Sequence, residues 1–337
     1  MAYQDGIETI EFNTAQDFLT FLRPSGKFNS LDWIFRGHAN EQYNLLPNLF
    51  RDPVGELVQK HYDLVNKEAN ENLIFTFKMY IRNGSNFRKS RVFFSVEHKL
   101  LREFAIKADR VGLPVPGLDT MLNASLDLYS PTNSSPFLVG YDSSDNFDLN
   151  AVYEFVKENK GVPPTYAGLA QHHGVPTRLL DFSFNSMKAI YFAVTNSAPS
   201  RICIWAINTL FFNDEYFWRW RHNTTEAGVN NFAKYSMFVM PNSSNKYMHQ
   251  QQGLFVYPRF PFEFNFENGR FPDLRDFIKV LESWSKVEEP RAFKLVLPEQ
   301  HFFDLKELIK REGLTLSTMM PTFDNVAREM KNDVGIY

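Results

Sequence analysis

The first residue that invites a chemical question is Arg36. In "LDWIFRGHANEQYNLLPNLFR" (31–51) an apolar run ends on its guanidinium and is broken at once by Gly37 and His38. A guanidinium at the end of a buried strand either pairs with a carboxylate, such as Asp181, or makes bidentate, charge-assisted bonds to an anion. Gly37 would let a ligand or another stretch of backbone come close. A second group of reactive side chains lies in "YAGLAQHHGVPTRLLDFSFNSMKAIYFAV" (166–194). Here His172 and His173 can move protons near neutral pH, and Asp181 and Ser183 place a carboxylate and a hydroxyl at a strand end. Tyr166 and Tyr191 offer rings that could stack on a ligand or fill a core. Ser183 and Ser186 also suit the N-cap of the following helix, and Arg178 is expected to pair with a carboxylate. A third group, Gln250 to Gln252 in "YMHQQQGLF", precedes another apolar run. An amide there can orient a hydroxyl but offers no full charge.

These residues need elements to hold them. "IETIEF" reads as a strand and "TAQDFLTFLR" as a helix capped by Thr14; "LDWIFRG" is the strand that carries Arg36. The central stretch predicts a short helix, a turn at Gly174 to Pro176, a strand and an amphipathic helix. "RICIWAIN" and Leu254 to Tyr257 read as further strands. "AFKLVLPEQHFFDLKELIKREGLTLSTMMPTF" reads as strand, helix, strand, with Gly313 closing the helix. Helical spacing recurs in "PNLFRDPVGELVQKHYDLVNKEANENLIFTF" and in "SVEHKLLREFAIKADRVGL". The polar run "NASLDLYSPTNSSPFLVGYDSSDNFDLN" reads as a surface insertion or a lid. With no repeat and no linker, the chain is expected to form one domain, 1–337, with a helical insertion over 51–161 in an α+β core.

Composition narrows the partners. The 337 residues carry a net charge of −3, which argues against coating nucleic acid by bulk electrostatics. Aromatic residues make up 16% of the chain, enough to supply stacking surfaces as well as core. "YFWRWRH" (216–222) mixes rings and cations, as a base-stacking platform or a half-buried helix would. The single cysteine, Cys203, sits in an apolar strand and fits a reducing compartment. No run is long and apolar enough for a membrane span, so a cytoplasmic protein is expected. There is no phosphate-binding glycine loop, no paired CxxC, no HExxH and no strand–Ser–helix elbow; no metal is expected.

Taken together, "WIFRGHANEQYNLLPNLFR", the Glu and Leu-Leu of "EHKLLREF", "YAGLAQHHGVPTRLLDFSFNSMKAIYFAV", "QQQGLF" and the C-terminal stretch resemble the FRG domain family. Its namesake Phe-Arg-Gly stands here at Phe35, Arg36 and Gly37. A looser resemblance, to ADP-ribosyltransferases of the Arg-Ser-Glu type, rests on order. Arg36 comes first, then Ser183 ahead of a helix with Ala189, Phe192 and Ala193, then "HQQQGLF". That resemblance implies an α+β, split-sheet ADP-ribosyltransferase-like core and NAD as substrate, with no metal. Arg36, Ser183, Gln252 and His173 would be catalytic. Arg36, Gly37, Asp181, Ser183 and Tyr191 would contact NAD. Because the third position is a neutral glutamine, Gln252 orients the ribose alone, Asp181 supplies the charge, or the site only binds the nucleotide. The resemblance further implies a macromolecular acceptor such as RNA, DNA or protein. It also implies a regulated effector, a toxin with an antitoxin or chaperone partner or a phage-defence protein. The alternative is a non-catalytic nucleotide- or nucleic-acid-binding module.

Overall fold

The computed structural model describes residues 2–4, 6–28, 32–51, 54, 97, 100–118, 163, 165–195, 198–212, 234–240, 246–259, 261–282 and 291–335. Most of the predicted insertion, 51–161, and all of "YFWRWRH" lie outside the described residues. Among the described residues eight strands form one sheet: β1 (Ala2–Gln4), β2 (Ile7–Glu11), β3 (Trp33–His38), β4 (Leu180–Ser183), β5 (Ile202–Asn208), β6 (Tyr235–Phe238), β7 (Gly253–Pro258) and β8 (Ala292–Leu297). Their spatial order is β1-β2-β8-β5-β3-β4-β7-β6. The β2–β8 pair is parallel and the other pairs are antiparallel. The protein is thus a mixed sheet with helices, as the alternating patterns predicted. Among the described residues no helix is long and apolar enough to cross a membrane.

Strand alternation divides the sheet into two faces. Phe35, Ile204, Ala206, Phe293 and Leu295 point to one side, into a core shared with helices α1 (Ala15–Leu22), α3 (Ser186–Val194) and α7 (Phe302–Arg311). Farther along that side, Phe255 and Tyr257 pack with α2 (Tyr166–His172), Leu101 and Met240. On the other side Ile34, Leu180, Phe182, Cys203, Trp205 and Leu254 form a core with α6 (Leu274–Glu282) and the 3-10 turn Thr209–Phe212. Burial pushes the Cys203 thiol up to about 12, so it behaves as an apolar side chain.

The centre of the sheet is where pairing fails. β3 matches β5 over all six of its residues, but β3 and β4 share only the bridge between Phe35 and Ser183. Beyond that bridge the strands part. Helix α3 lies against β3 at the same level: a Cβ on Gly37 would stand 2.0 Å from the Ala189 carbonyl oxygen. Gly37 is therefore the point where the α3 backbone rests on the sheet.

The caps follow local side-chain chemistry. Thr14 accepts from the Asp17 amide and starts α1 as predicted. Helix α3 is capped by Asn185, whose side-chain Oδ1 accepts from the Met187 amide. Neither Ser183 nor Ser186 takes that role: Ser186 donates to the Leu22 carbonyl. Gly313, at φ +77°, ends α7. The stretch after it, read from sequence as a strand, instead forms the short helix α8 (Leu316–Met319). Thr315 and Thr318 close a capping box there, a local signal that outweighs β-branched content. Helix α9 (Phe323–Asp333) follows.

Arg178 finds the carboxylate expected for it. Its Nε donates to Glu97 Oε2 at 2.7 Å and its backbone amide to Oε1 at 2.8 Å, with both residues buried. The pair ties Glu97 to the chain entering β4. Removing one member of a buried pair strands the other's charge. The Glu97→Gln chain is expected to lose about 3–5 kcal/mol of stability, and Gly37→Ala about 1–3 kcal/mol or more from overpacking against α3. Urea unfolding monitored by tryptophan fluorescence measures both; unchanged midpoints would contradict this packing.

Candidate functional site: an arginine in the strand gap

Arg36 and His38 alternate with Phe35 and Gly37, so their side chains share a face with Trp205 and Cys203, their partners on β5. The Arg36 side chain is 15% exposed. Its Nη1 enters the gap and donates to the Asp181 backbone carbonyl at 2.6 Å, an acceptor that continued β3–β4 pairing would have used. Its Nε donates to His38 Nε2 at 3.1 Å. That bond fixes His38 as the tautomer protonated on Nδ1. The Asp181 carboxylate is farther away, with Oδ2 3.8 Å from Nη1, and is 56% exposed. The arginine is thus held chiefly by neutral acceptors. Burial brings its guanidinium down to about 10, which leaves it charged at neutral pH.

Asp181 is oriented from the other side. Its Oδ1 accepts from Gln171 Nε2 at 2.7 Å, and Gln171 Oε1 accepts from the Thr177 hydroxyl. Thr177's carbonyl in turn accepts from the Leu49 amide at 3.2 Å. This chain of bonds brings the 3-10 turn Asn48–Phe50 to the gap, and with it Arg51. Phe50 stacks on Phe271 at 4.1 Å, and Arg51 Nε donates to the Leu46 carbonyl at 2.6 Å.

A second acid, Asp273, is already used. Both its oxygens accept from Arg275, at 2.8 and 2.9 Å, and Arg275 also donates to Asn44. Arg36 and Arg51 both feel the charge of Asp181, whose Oδ1 is engaged by the neutral Gln171 amide. Arg51 is held below its ordinary range by burial. His38 cannot add a charge: burial, then the Arg36 and Arg51 cations, push its imidazole down to about 2. His172, at the end of α2, is also lowered by burial, against the pull of Asp181.

The other predicted residues lie elsewhere. Ser183 is opposite Phe35 in the β3–β4 register, so its side chain points to the face away from Arg36. Its buried hydroxyl donates to the Gln251 carbonyl at 2.7 Å and accepts from the Asn185 amide at 3.0 Å. Gln252 stands at φ +47°, the one non-glycine residue at positive φ among the described residues. Its carbonyl accepts from the Phe184 amide at 2.9 Å, and Lys188 Nζ donates to the Gln250 carbonyl. The glutamine turn between α4 (Lys246–Gln251) and β7 is thus clasped through its backbone by Ser183, Phe184 and Lys188. His173 caps α2 and lays its exposed ring on Phe104, 6.2 Å between centroids. Tyr191 is buried in the core under α3. The structure joins Arg36 to Asp181, and Ser183 to the backbone of the glutamine turn, but does not converge all four catalytic candidates.

Arg51 and Gln171 were not picked out from sequence. "PNLFR" carries the first in the same quoted stretch as Arg36; nothing in the pattern marked Gln171. No cluster of three or more His, Cys, Asp or Glu suited to a metal occurs among the described residues.

The sheet, its central gap and the arginine in it define an α+β protein with a cationic, partly open polar site. Residues 137–201 match the model of the FRG domain family. The match takes in α2, β4 and α3, which carry Gln171, Asp181 and Ser183, while Phe35, Arg36 and Gly37 lie outside it. No curated protein and no solved structure matches the chain.

The neutral His38 has a consequence for pH. The folded chain keeps its imidazole unprotonated down to about 2, whereas the unfolded chain takes up that proton near 6.5. Stability is complete above pH 6.5 and falls as pH drops, by about 1.4 kcal/mol per unit from this group. Between pH 7 and pH 5 the His38 contribution is expected to be about 2 kcal/mol. Comparing urea midpoints of wild type and His38→Gln at the two pH values isolates it; equal losses in both would show that His38 is not held neutral.

Proposed function

We propose that the chain binds NAD at the β3–β4 gap and transfers its ADP-ribose to a macromolecule such as RNA, DNA or protein. The observation that carries the reading is the state of Arg36. Its charge is anchored by a backbone carbonyl and a neutral imidazole, beside a half-exposed carboxylate that only partly offsets it. Such a cation suits a diphosphate, and a carboxylate next to it suits the chemistry. In the transfer, the bond from ribose C1′ to the nicotinamide nitrogen breaks and its electron pair leaves on nicotinamide, which departs neutral. The acceptor's nucleophile then bonds to C1′ and releases its proton to solvent. The ribose is cationic in between, and Asp181 is the group placed to stabilise it electrostatically. In this reading Asp181 takes the part first considered for Gln252, while Ser183 positions the glutamine turn. The order of Arg36, Ser183 and Gln252 on or beside the adjacent strands β3, β4 and β7 supports the likeness to a split-sheet ADP-ribosyltransferase core. An activity of this kind works in the cytoplasm as a regulated effector, a toxin under an antitoxin or a phage-defence protein.

A second reading, a nucleotide-binding module without chemistry, is favoured by one observation. Ser183 and the glutamine turn spend their hydrogen bonds on each other's loops, away from Arg36.

Titration with NAD, followed by release of nicotinamide and transfer of labelled ADP-ribose to cell extract, separates the readings. Arg36→Lys, which keeps the charge but loses the planar fork, is expected to weaken NAD binding roughly 10- to 100-fold. Asp181→Asn is expected to leave binding within about 3-fold and to cut transfer about 100-fold or more. Binding without nicotinamide release would establish the module; no binding would end both readings.

A further inference from the structure

Arg51 closes the stretch that resembles the FRG family; neither resemblance gives it a role, yet it is built into the site. Its backbone is fixed by the Phe50–Phe271 stack and by the Leu49 amide on Thr177, and its Nε is spent on the Leu46 carbonyl. Among the described residues, neither terminal nitrogen of Arg51 donates to any group, and the same is true of Arg36 Nη2. Asp273 is closed to Arg51 by its bidentate pairing with Arg275. Two guanidinia with open donors therefore feel the charge of Asp181, which lies 3.8 Å from Arg36 and whose Oδ1 is already taken by Gln171. The arrangement leaves one positive charge in excess in a half-buried setting, where an anion is screened little by salt.

From this we infer that Arg36 and Arg51 form a two-pronged clamp for the diphosphate of a nucleotide, one guanidinium to each phosphate. Planar guanidinia bind phosphate oxygens in pairs, so two of them discriminate a diphosphate from a monophosphate. The donors of Arg51 come from the loop after β3 and those of Arg36 from the gap itself. The phosphates are thereby set over the rim of the sheet beside Asp181. Burial first, and the Arg51 cation after it, lower the Arg36 guanidinium, and an arriving anion relieves the repulsion between the two cations. This inference rests on the nucleotide reading above and adds to it the feature that selects the ligand.

Calorimetry with ADP-ribose, NAD, ADP and AMP on the full chain, wild type and Arg51→Gln, tests it. Arg51→Gln is expected to weaken ADP-ribose and ADP roughly 10- to 100-fold and AMP by less than about 3-fold, with Arg51→Lys falling between. An equal loss for AMP and ADP, or no loss at all, overturns the clamp. ADP binding that depends on Arg51 without any NAD binding supports the clamp and removes the transferase reading. NAD binding indifferent to Arg51 does the reverse. Should Arg51→Gln fail to fold, the ratio of ADP to AMP affinity in Arg51→Lys decides: a ratio unchanged from wild type overturns the clamp.

Discussion

Where two neighbouring strands part inside a protein, carbonyls that faced the missing partner must still be satisfied. Here the Asp181 carbonyl is satisfied by a guanidinium, and much of the local architecture follows from that choice. A bond from a charged donor contributes about 1.5–3 kcal/mol, but the charge must be tolerated in a half-buried place. Neutral His38 accepts from Nε on one side and the Asp181 carboxylate offsets part of the charge on another. An acid placed squarely on Arg36 would give a closed ion pair. The 3.8 Å separation and the exposed carboxylate leave both groups available, and that is why the gap reads as a site rather than as a fastening.

A different solution holds the opposite face. The α4–β7 turn carries a non-glycine residue at positive φ, Gln252, a conformation that costs free energy and persists only where surroundings enforce it. Ser183, Phe184 and Lys188 enforce it through three successive carbonyls. Because Ser183 also accepts from Asn185, the end of β4, the start of α3 and the start of β7 move as one piece. The FRG match covers β4 and α3, and the buried Arg178–Glu97 pair secures the same segment from its other end.

Much of this was legible in the residues, and the failures have physical causes. β3, β5 and β7 were readable because apolar runs bounded by Gly, Asn or Pro leave few alternatives. Thr14 and Gly313 announced a helix start and a helix stop. After Gly313 a helix stands in place of the expected strand because the capping box between Thr315 and Thr318 decides against β-branched content. Asn185 was passed over as a cap because two serines flank it closely. Arg36 stood out as a charge ending an apolar run. Arg51 did not, since it is placed by the stack of its neighbour Phe50 on Phe271 and by the Leu49 bond to Thr177, partners more than 100 positions away. Ser183 was read as facing the ligand because spacing gives order along the chain but not register across a gap, and register settles which face a side chain takes.

Nucleotide binding at the β3–β4 gap requires that the Arg36 guanidinium stay charged and open to an anion. Side-chain ¹⁵N NMR of the arginines during titration with ADP-ribose observes this directly. The Arg36 and Arg51 signals are expected to move together and saturate, while those of Arg201 and Arg270, already paired with acids, stay in place. Saturation of the nucleotide with no change at Arg36 would contradict binding at the gap.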